Sequence, residues 1–357
     1  MMQSSDFGLA GATMLETVTA ADSGALAEIE GFVAMRSDAT PFHRPAWVCA
    51  VARGTGQEAL FLIARGQGGD IRGLLPLNII HSPIFGRALV SSGFAVNGGI
   101  VADEPATVRQ LADAAIALAE RRACETIELR GGLAPGAGWT VRTGGYLNFE
   151  RPLAADDEAE LLAIPRKHRA EVRKGLDMGY AVDTGDSEAM RASHYALYQR
   201  SVHNLGTPVF PRSLFDHVLD SFGGDAQVTQ VSQGGVVLSS VIALYHRGAV
   251  MPYWQGADLN ARKARSNEVL YFGLMRHARE RGCHTFDFGR SKVGTGTAAY
   301  KKNWGFEAEP LDYFIYAAPG HDARNINPTA PQYQRKVELW KKLPAGLVDR
   351  IGPWIAR

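Results

Sequence analysis

Residues 280–289 read ERGCHTFDFG, the end of a helical pattern followed by a short apolar strand. A similar stretch, RRACETIELRG, occupies residues 121–131. One constant offset aligns Cys124 with Cys283, Thr126 with Thr285, Glu128 with Asp287 and Leu129 with Phe288. Because polar as well as apolar positions agree, the match favours a duplicated unit over chance similarity.

The elements on either side of the two stretches agree as well. An amphipathic helix pattern precedes each one, over residues 106–122 and 266–281. Earlier still, strand patterns joined by Gly-rich turns cover residues 59–80 and 227–257. Each half of the chain therefore predicts a β-meander, a helix and a further strand.

These patterns predict an α/β (α+β) fold of two tandem units with mixed sheets, over residues 1–150 and 151–317. A basic helix over residues 165–178 opens the second unit, after an acidic junction. This helix is either a solvated charged face or a cationic surface that meets a phosphate-bearing substrate. Residues 318–357 predict an amphipathic tail that packs on the body or makes a peripheral membrane contact through Lys341, Lys342 and Arg350.

Composition narrows the class of protein. The chain has 357 residues, 46% of them hydrophobic, which is ordinary for a globular protein of one large or two medium domains. The net charge of +1 provides no global attraction to nucleic acid or membrane, so any anion site has to be local. The three cysteines are widely spaced, without metal-ligand spacing, and predict a reducing compartment and no metal site. Without a signal-peptide pattern or an apolar run long enough to span a bilayer, we expect a soluble cytoplasmic protein.

The segment 285–306, TFDFGRSKVGTGTAAYKKNWGF, follows the repeated strand with four glycines and then Lys301 and Lys302. Residues 294–299 match the loose nucleotide pattern GxGxxA. They do not follow the strand directly, however, and too little chain remains for a dinucleotide-binding half. The composition instead predicts a flexible loop that carries two cations.

A second anion signal lies before the helix at 266–281. Three cations precede a helix N-terminus, whose free N–H groups and dipole attract anions. Ser266 or Asn267 is the expected N-cap. The alternative is a solvated loop with incidental charge. The predicted phosphate-binding residues are Arg262, Lys263, Arg265, Ser266 and Asn267.

The element order of each half resembles the GNAT acyltransferase fold. Two copies with a basic helix between them resemble the Fem family of peptidoglycan aminoacyl and peptidyl transferases and its CelD/BcsL-type acetyltransferase relatives. The closest motif is Tyr300-Lys301 followed by Trp304-Gly305. The chain is most similar to the FemAB-like branch associated with XrtA/PEP-CTERM exopolysaccharide loci. The segments that carry this resemblance are 40–47, 74–99, 201–211, 285–306 and the terminal WKKLP…GPWIAR.

The resemblance implies an acyltransferase that moves an acyl or aminoacyl group to an amine or hydroxyl of a cell-envelope glycan, exopolysaccharide or peptidoglycan-like precursor. Its cosubstrate would be acyl-CoA or aminoacyl-tRNA, with no permanently bound cofactor. The implied partners are a glycan or lipid-linked envelope precursor and tRNA. Residues 290–296 have one residue more than the pyrophosphate loop of GNAT proteins, which leaves the donor open. The alternative is a non-catalytic module of the same fold that recognises a glycan or nucleotide-sugar.

By resemblance, Lys301 stabilises the oxyanion or clamps a phosphate, and Lys302 supports it. Asp287 ends the strand beside them, in a catalytic role or in the structural role that Glu128 suggests for the position. His43 is either a cleft residue or a hydrogen-bonded structural histidine. The predicted substrate-binding residues are Arg290, Ser291, Tyr300, Trp304, Tyr253, Trp254, Gln255, His203, Asn204 and His43.

Overall fold

The structure of the protein, a computed structural model, describes residues 13–82, 86–258, 261–321, 340, 343 and 345–356. In the first half the strands are β1 (Met14–Thr19), β2 (Glu58–Arg65), β3 (Ile71–Ser82), β4 (Gly86–Ser91), β5 (Val101–Ala102), β6 (Thr126–Arg130) and β7 (Thr140–Asn148). The helices there are α1 (Ser23–Met35), α2 (Pro45–Thr55) and α3 (Pro105–Arg121). Proline opens α2 and α3, where its missing N–H would have no partner within the helix.

The second half repeats this plan with more helices. Its strands are β8 (Glu150–Pro152), β9 (Ala181–Gly185), β10 (Ala226–Gln233), β11 (Val236–His246), β12 (Ala249–Ala257), β13 (Thr285–Asp287), β14 (Ser291–Lys292) and β15 (Glu309–Ala317). Its helices are α4 (Asp157–Ala163), α5 (Arg166–Leu176), α6 (Glu188–Leu205), α7 (Arg212–Phe222), α8 (Ala261–Ala264), α9 (Ser266–Glu280), α10 (Gly296–Asn303) and α11 (Ala345–Ala356). Gly234 and Gly235, both at positive φ, form the tight turn between β10 and β11.

The predicted duplication is confirmed. In the first half α3 leads into β6, which pairs in parallel with β4. In the second half α9 leads into β13, which pairs in parallel with β12. The other strand pairs, apart from one isolated bridge, are antiparallel, so both sheets are mixed as the sequence predicted.

The larger sheet is built from strands of both halves of the chain. The larger sheet has the order β1-β2-β3-β4-β6-β15-β7-β14, with β5 beside β3. The smaller has the order β8-β13-β12-β11-β10-β9. Strands β14 and β15 therefore pair with strands of the first half, although they belong to the second half of the chain. The larger sheet thus contains strands from both sides of the boundary that the sequence predicts at residue 150. The predicted division of the chain into two domains there stays a prediction.

One apolar core joins the two halves. Helix α2 crosses α7 at Gly54, where an added Cβ would collide with the backbone of Leu214. Trp47 of α2 is fully buried and stacks on Trp254 of β12 at a centroid distance of 5.4 Å. One face of the smaller sheet therefore packs against the first half, and α5 and α9 cover its other face.

The predicted C-terminal tail lies largely outside the described residues, and Lys341, Lys342 and the Arg350 side chain are not described. Helix α11 is described, and its Val348 is buried. Its Gly352 lies beside Val209, so this helix packs on the body. The predicted membrane contact of the tail stays a prediction.

Candidate functional site

A cleft of about 460 Å³ lies between the two halves, on the face of the smaller sheet that looks toward the first half. Its floor comes from β11, β12 and β13, and includes Met251, Thr285 and Asp287. Its opposite wall comes from the segment before α2 and from Asn97. A second hollow of about 290 Å³ lies on the first half beside Glu58, whose carboxylate already pairs with Arg87 and Arg122.

Asp287 is an acidic residue on the floor of the cleft. Its Oδ1 accepts a hydrogen bond from the backbone N–H of Gly289 at 2.8 Å. Burial raises the pKa of the Asp287 carboxyl to about 7, and the nearby carboxylate of Glu150 adds to the rise. A carboxyl with a pKa near 7 exchanges protons readily at neutral pH, which suits a general base.

Lys301 lies on α10, not on the flexible loop that the sequence predicts. The glycines and threonines form a short strand, a turn and a helix, which the Thr295 side chain caps by accepting the N–H of Ala298. The Lys301 Nζ donates to the carbonyls of Gly289 and Arg290, at 2.9 and 3.0 Å. The ammonium therefore ties down the turn that follows Asp287. The side chain of Lys302 is exposed.

Burial lowers the pKa of Lys301 to about 7, and the nearby Asp287 opposes this fall. Two of the three N–H groups of its ammonium bond to the backbone carbonyls, and the Nζ lies 5.4 Å from the ring centroids of Phe149 and Phe288. Lys301 itself does not line the cleft. Asp287 and Lys301 together form an acid–base pair that titrates close to neutral pH.

In the first half, the position that corresponds to Asp287 carries a carboxylate held in an ion pair with an arginine. Glu128, the counterpart of Asp287, forms an ion pair with Arg130 at 2.6 Å. Burial alone would raise the pKa of Glu128, but Arg130 and other cations nearby hold it below its ordinary value. In the alignment Gly289 stands where the first half has Arg130. The second half therefore has no arginine at this position, and the pKa of the Asp287 carboxyl stays raised.

Strands β12 and β13 separate next to Asp287. The N–H of Thr285 donates to the carbonyl of Gly248, and the parallel pairing ends at Val250 and Phe286. The next bond of this ladder would run from the N–H of residue 252 to the carbonyl of Asp287, and Pro252 has no N–H. Beyond it a bulge gives Trp254 a positive φ of 46°. A slot therefore opens between the strands.

The aromatic side chains predicted on β12 pack between the two halves. The Tyr253 hydroxyl donates to the carbonyl of Phe94 at 2.6 Å. The ring of Trp254 lies 4.4 Å from that of Phe215. Gln255 donates to Asn267 at 2.9 Å. Because these side chains are engaged in packing and hydrogen bonds, the part of β12 left to border the slot is its main chain.

The predicted phosphate site does not form as a cluster of free cations. Arg265 adopts the left-handed conformation (φ 54°) at the N-cap of α9, so the prediction of Ser266 or Asn267 as the cap is wrong. The Arg265 guanidinium pairs with Glu171 of α5 at 2.7 Å. Ser266 is buried, Lys263 is exposed, and the side chain of Arg262 lies outside the described residues.

His43 is a structural residue. It is buried, and its Nδ1 accepts the backbone N–H of Thr40 at 2.9 Å. Its Nε2 must then carry the proton and donate to the carbonyl of Gly99 at 3.0 Å. Burial lowers the pKa of His43 to about 4, so the ring is neutral and holds the cleft wall at Thr40 in shape.

The remaining predicted residues are not brought into the cleft. Trp304 is fully buried and packs with Tyr300 in the core of the second half. The Arg290 guanidinium lies over the ring of Tyr146 and donates to the Tyr313 hydroxyl at 2.6 Å. Ser291 is buried on β14. His203 and Asn204 lie at the end of α6 and do not line the cleft.

The sequence reasoning missed three contributors. Glu150 sits opposite Asp287 on β8, and Thr40 and Asn97 form the far wall. Nothing local in the sequence marks these three. Pro252 has a visible signal, because a proline inside a central strand interrupts pairing. Within the described ranges, no group of His, Cys, Asp or Glu side chains is arranged to hold a metal ion.

Comparison with known proteins identifies the fold. Residues 165–302 match the model of a family described as an acetyltransferase (GNAT) domain. The structure is similar to that of FemX, with a TM-score of 0.66 and 15% sequence identity over 92% of this chain and all of FemX. A tandem GNAT protein from the clavulanic acid biosynthesis pathway gives a TM-score of 0.54 and 14% identity, over 87% of this chain and all of that one. The fold is a tandem GNAT fold.

A third similar structure is the C-terminal domain of a putative lysylphosphatidylglycerol synthetase from Agrobacterium fabrum. Its TM-score is 0.54 at 17% identity, over 82% of this chain and 91% of that one. At such identities the similarity shows the fold alone. The sequence matches no curated protein. None of the described helices is both long enough and apolar enough to cross a bilayer.

Proposed function

We propose that the protein is an acyl- or aminoacyltransferase with its active site in the cleft between the two halves. The acceptor is an amine or hydroxyl of a cell-envelope glycan, exopolysaccharide or peptidoglycan-like precursor. The observation that carries this proposal is Asp287, a partly buried carboxyl with a pKa near 7 on the cleft floor beside Lys301. The GNAT domain match over residues 165–302 and the tandem fold support it.

In this mechanism the acceptor enters the cleft and attacks the carbonyl carbon of the donor. Asp287 takes the proton from the attacking nitrogen or oxygen as the new bond forms. The positive charge of the Lys301 ammonium, which holds the turn after Asp287, stabilises the negative charge on the donor carbonyl oxygen. The tetrahedral intermediate then collapses, and the donor leaves as a thiol from acyl-CoA or as a ribose hydroxyl from aminoacyl-tRNA, with one proton returned to the leaving atom.

The donor takes the slot between β12 and β13. Pro252 and the bulge at Trp254 keep the two strands apart there, and the main chain of β12 beyond the split offers hydrogen bonds to an extended amide-bearing chain. Acyl-CoA has such a chain. Aminoacyl-tRNA, which the sequence resemblance implies, remains the second donor. We assign the reaction to the cytoplasmic side of the envelope, and the protein to the FemAB-like branch associated with exopolysaccharide loci.

Calorimetric titration with acetyl-CoA, longer acyl-CoAs and aminoacyl-tRNA identifies the donor. Transfer from the bound donor to amino sugars, nucleotide-linked muramyl peptides and exopolysaccharide fragments is then measured for wild type and Asp287→Asn. We expect transfer by wild type and a loss on the order of 100-fold in the variant, the usual contribution of a general base. If no donor binds and a glycan binds equally well to both proteins, the chain is a binding module and the proposal fails.

A further inference from the structure

The solvent face of α5 carries a cluster of exposed cations. Helical spacing puts four of its cations on one face, together with Ala170. Three of them form no ion pair with another described residue, and the fourth, Lys174, pairs with Glu171 on the flank of the helix at 2.8 Å. The four cations are Arg166, Lys167, Arg173 and Lys174.

The opposite face of α5 fixes this helix to the protein. Val172 is fully buried, and a Cβ on Gly175 would lie 2.9 Å from the side chain of Val269 on α9. Glu171 adds an ion pair with Arg265 at 2.7 Å. The basic face is therefore held in one orientation toward solvent. The fold does not need four cations there, since the packing contacts of the helix lie on its other side.

Exposed apolar side chains stand at both ends of the same helix. Leu162, four residues before α5, is 58% exposed, and Met178, two residues after it, is 40% exposed. Large apolar side chains cost free energy in water and usually face inward. A row of cations bracketed by exposed apolar groups is the pattern of a surface that lies on an anionic bilayer.

We propose that the α5 face, defined as Leu162, Arg166, Lys167, Arg173, Lys174 and Met178, docks the protein on the surface of an anionic lipid bilayer. The cations contact the headgroups, and Leu162 and Met178 enter the interface between headgroups and acyl chains. This docking is independent of the transferase chemistry, because none of these residues lines the cleft. It would hold the protein at the surface where lipid-linked acceptors reside.

The same charge could attract a nucleic acid, but the aromatic side chains of the segment do not favour it. Binding of single-stranded nucleic acid uses exposed aromatic rings on which bases stack. The ring of His168 packs against Tyr300 and Trp304. The hydroxyl of Tyr180 donates to the carbonyl of Ala264 at 2.7 Å, and the side chain is only partly exposed. The exposed groups of the face are cationic and aliphatic, which suits lipid.

The test is co-sedimentation of the full chain with vesicles. Vesicles of phosphatidylcholine with about 30 mol% phosphatidylglycerol are compared with pure phosphatidylcholine at about 0.1 M salt. The test variant is Arg166→Gln/Lys167→Gln/Arg173→Gln. The matched control is Arg109→Gln/Arg121→Gln/Arg200→Gln, which removes two exposed cations from α3 and one from α6, none of them in an ion pair with another described residue. Circular dichroism and thermal melting verify that both variants fold.

We expect wild type and the control variant to bind the anionic vesicles and to leave the neutral vesicles unbound. Since each basic residue near a bilayer contributes about fivefold in affinity, the test variant should bind on the order of 100-fold more weakly. Leu162→Ser/Met178→Ser should weaken binding about tenfold with all charges kept. Failure of wild type to bind anionic vesicles overturns the proposal, and so does equal binding by the test variant. Binding of bulk tRNA that needs the α5 cations, without vesicle binding, would assign the face to nucleic acid instead.

Discussion

Glu150 and Asp287 stand directly opposite each other on the neighbouring antiparallel strands β8 and β13, and both line the cleft. Burial is the main cause that raises the pKa of each carboxyl; the Glu150 carboxylate adds to the rise at Asp287, and the Glu309 carboxylate adds to the rise at Glu150. A nearby negative charge disfavours the ionised form of a carboxyl. The cleft is therefore a site where a proton is taken up and released near neutral pH.

The raised pKa of Asp287 predicts how stability depends on pH. Between the ordinary carboxyl range and about pH 7 the folded protein holds this proton more tightly than the unfolded chain, so ionisation of Asp287 lowers the free energy of unfolding as pH rises. Asp287→Asn removes this cost. We expect the variant to be more stable than wild type by on the order of 2 kcal/mol above neutral pH, with the difference vanishing below about pH 4. Thermal melts across this range measure it, and a variant less stable at high pH would contradict the assignment.

Glu128→Gln is the matched experiment in the first half. Glu128 neutralises Arg130 at the position that corresponds to Asp287. Its loss leaves a partly buried guanidinium without its carboxylate, and we expect the free energy of unfolding to fall by about 2 kcal/mol. Transfer activity should stay within about twofold of wild type at a temperature where the variant is folded. A loss of activity as large as that of Asp287→Asn would mean that both repeats take part in the reaction.

Lys301→Met should lower the rate of transfer on the order of 100-fold, because it removes the positive charge that stabilises the oxyanion. It also removes a positive charge that favours ionised Asp287, so the pKa of Asp287 should increase. The residual activity should therefore begin to rise at a higher pH than the activity of wild type. Lys302→Met, on the exposed neighbour, is the control and should change the rate by less than about twofold. The readout is the pH dependence of kcat/KM for the three proteins.

Pro252→Ala should restore the main-chain donor that the parallel ladder lacks. The new N–H can bond to the carbonyl of Asp287 and draw β12 and β13 together. We expect donor affinity to fall about tenfold, because the slot narrows, while thermal stability stays unchanged or increases. Titration calorimetry with the identified donor tests this. Unchanged affinity would indicate that the donor binds elsewhere.

The sequence predicted the features that depend on local pattern. The duplicated helix and strand were visible because helical periodicity and matched polar positions repeat at one offset in the chain. The position of Asp287 at a strand end followed from the same alignment. The long basic helix was also recognisable, since charge and spacing are local properties of α5.

The features that depend on tertiary pairing could not be predicted. Strand β15 lies between β6 and β7 in the larger sheet. The alternating pattern of β15 predicts a strand but does not specify which strands it pairs with. The Gly- and Thr-rich segment indicated a loop, yet the Thr295 cap and burial of Trp304 stabilise it as a helix. The far wall of the cleft, at Thr40 and Asn97, is distant in the chain from Asp287 and meets it only in the folded protein.

The central claim is that Asp287 is the general base of a transferase. The most direct test is the pH dependence of kcat/KM for wild type and Asp287→Asn, with the donor identified by titration. The account predicts a bell-shaped wild-type profile: kcat/KM rises through an apparent pKa of about 7 as Asp287 ionises and falls at higher pH as Lys301 loses its proton. Asp287→Asn should be slower by on the order of 100-fold and lack the rising limb. A variant with the wild-type rate and the same pH profile would contradict it.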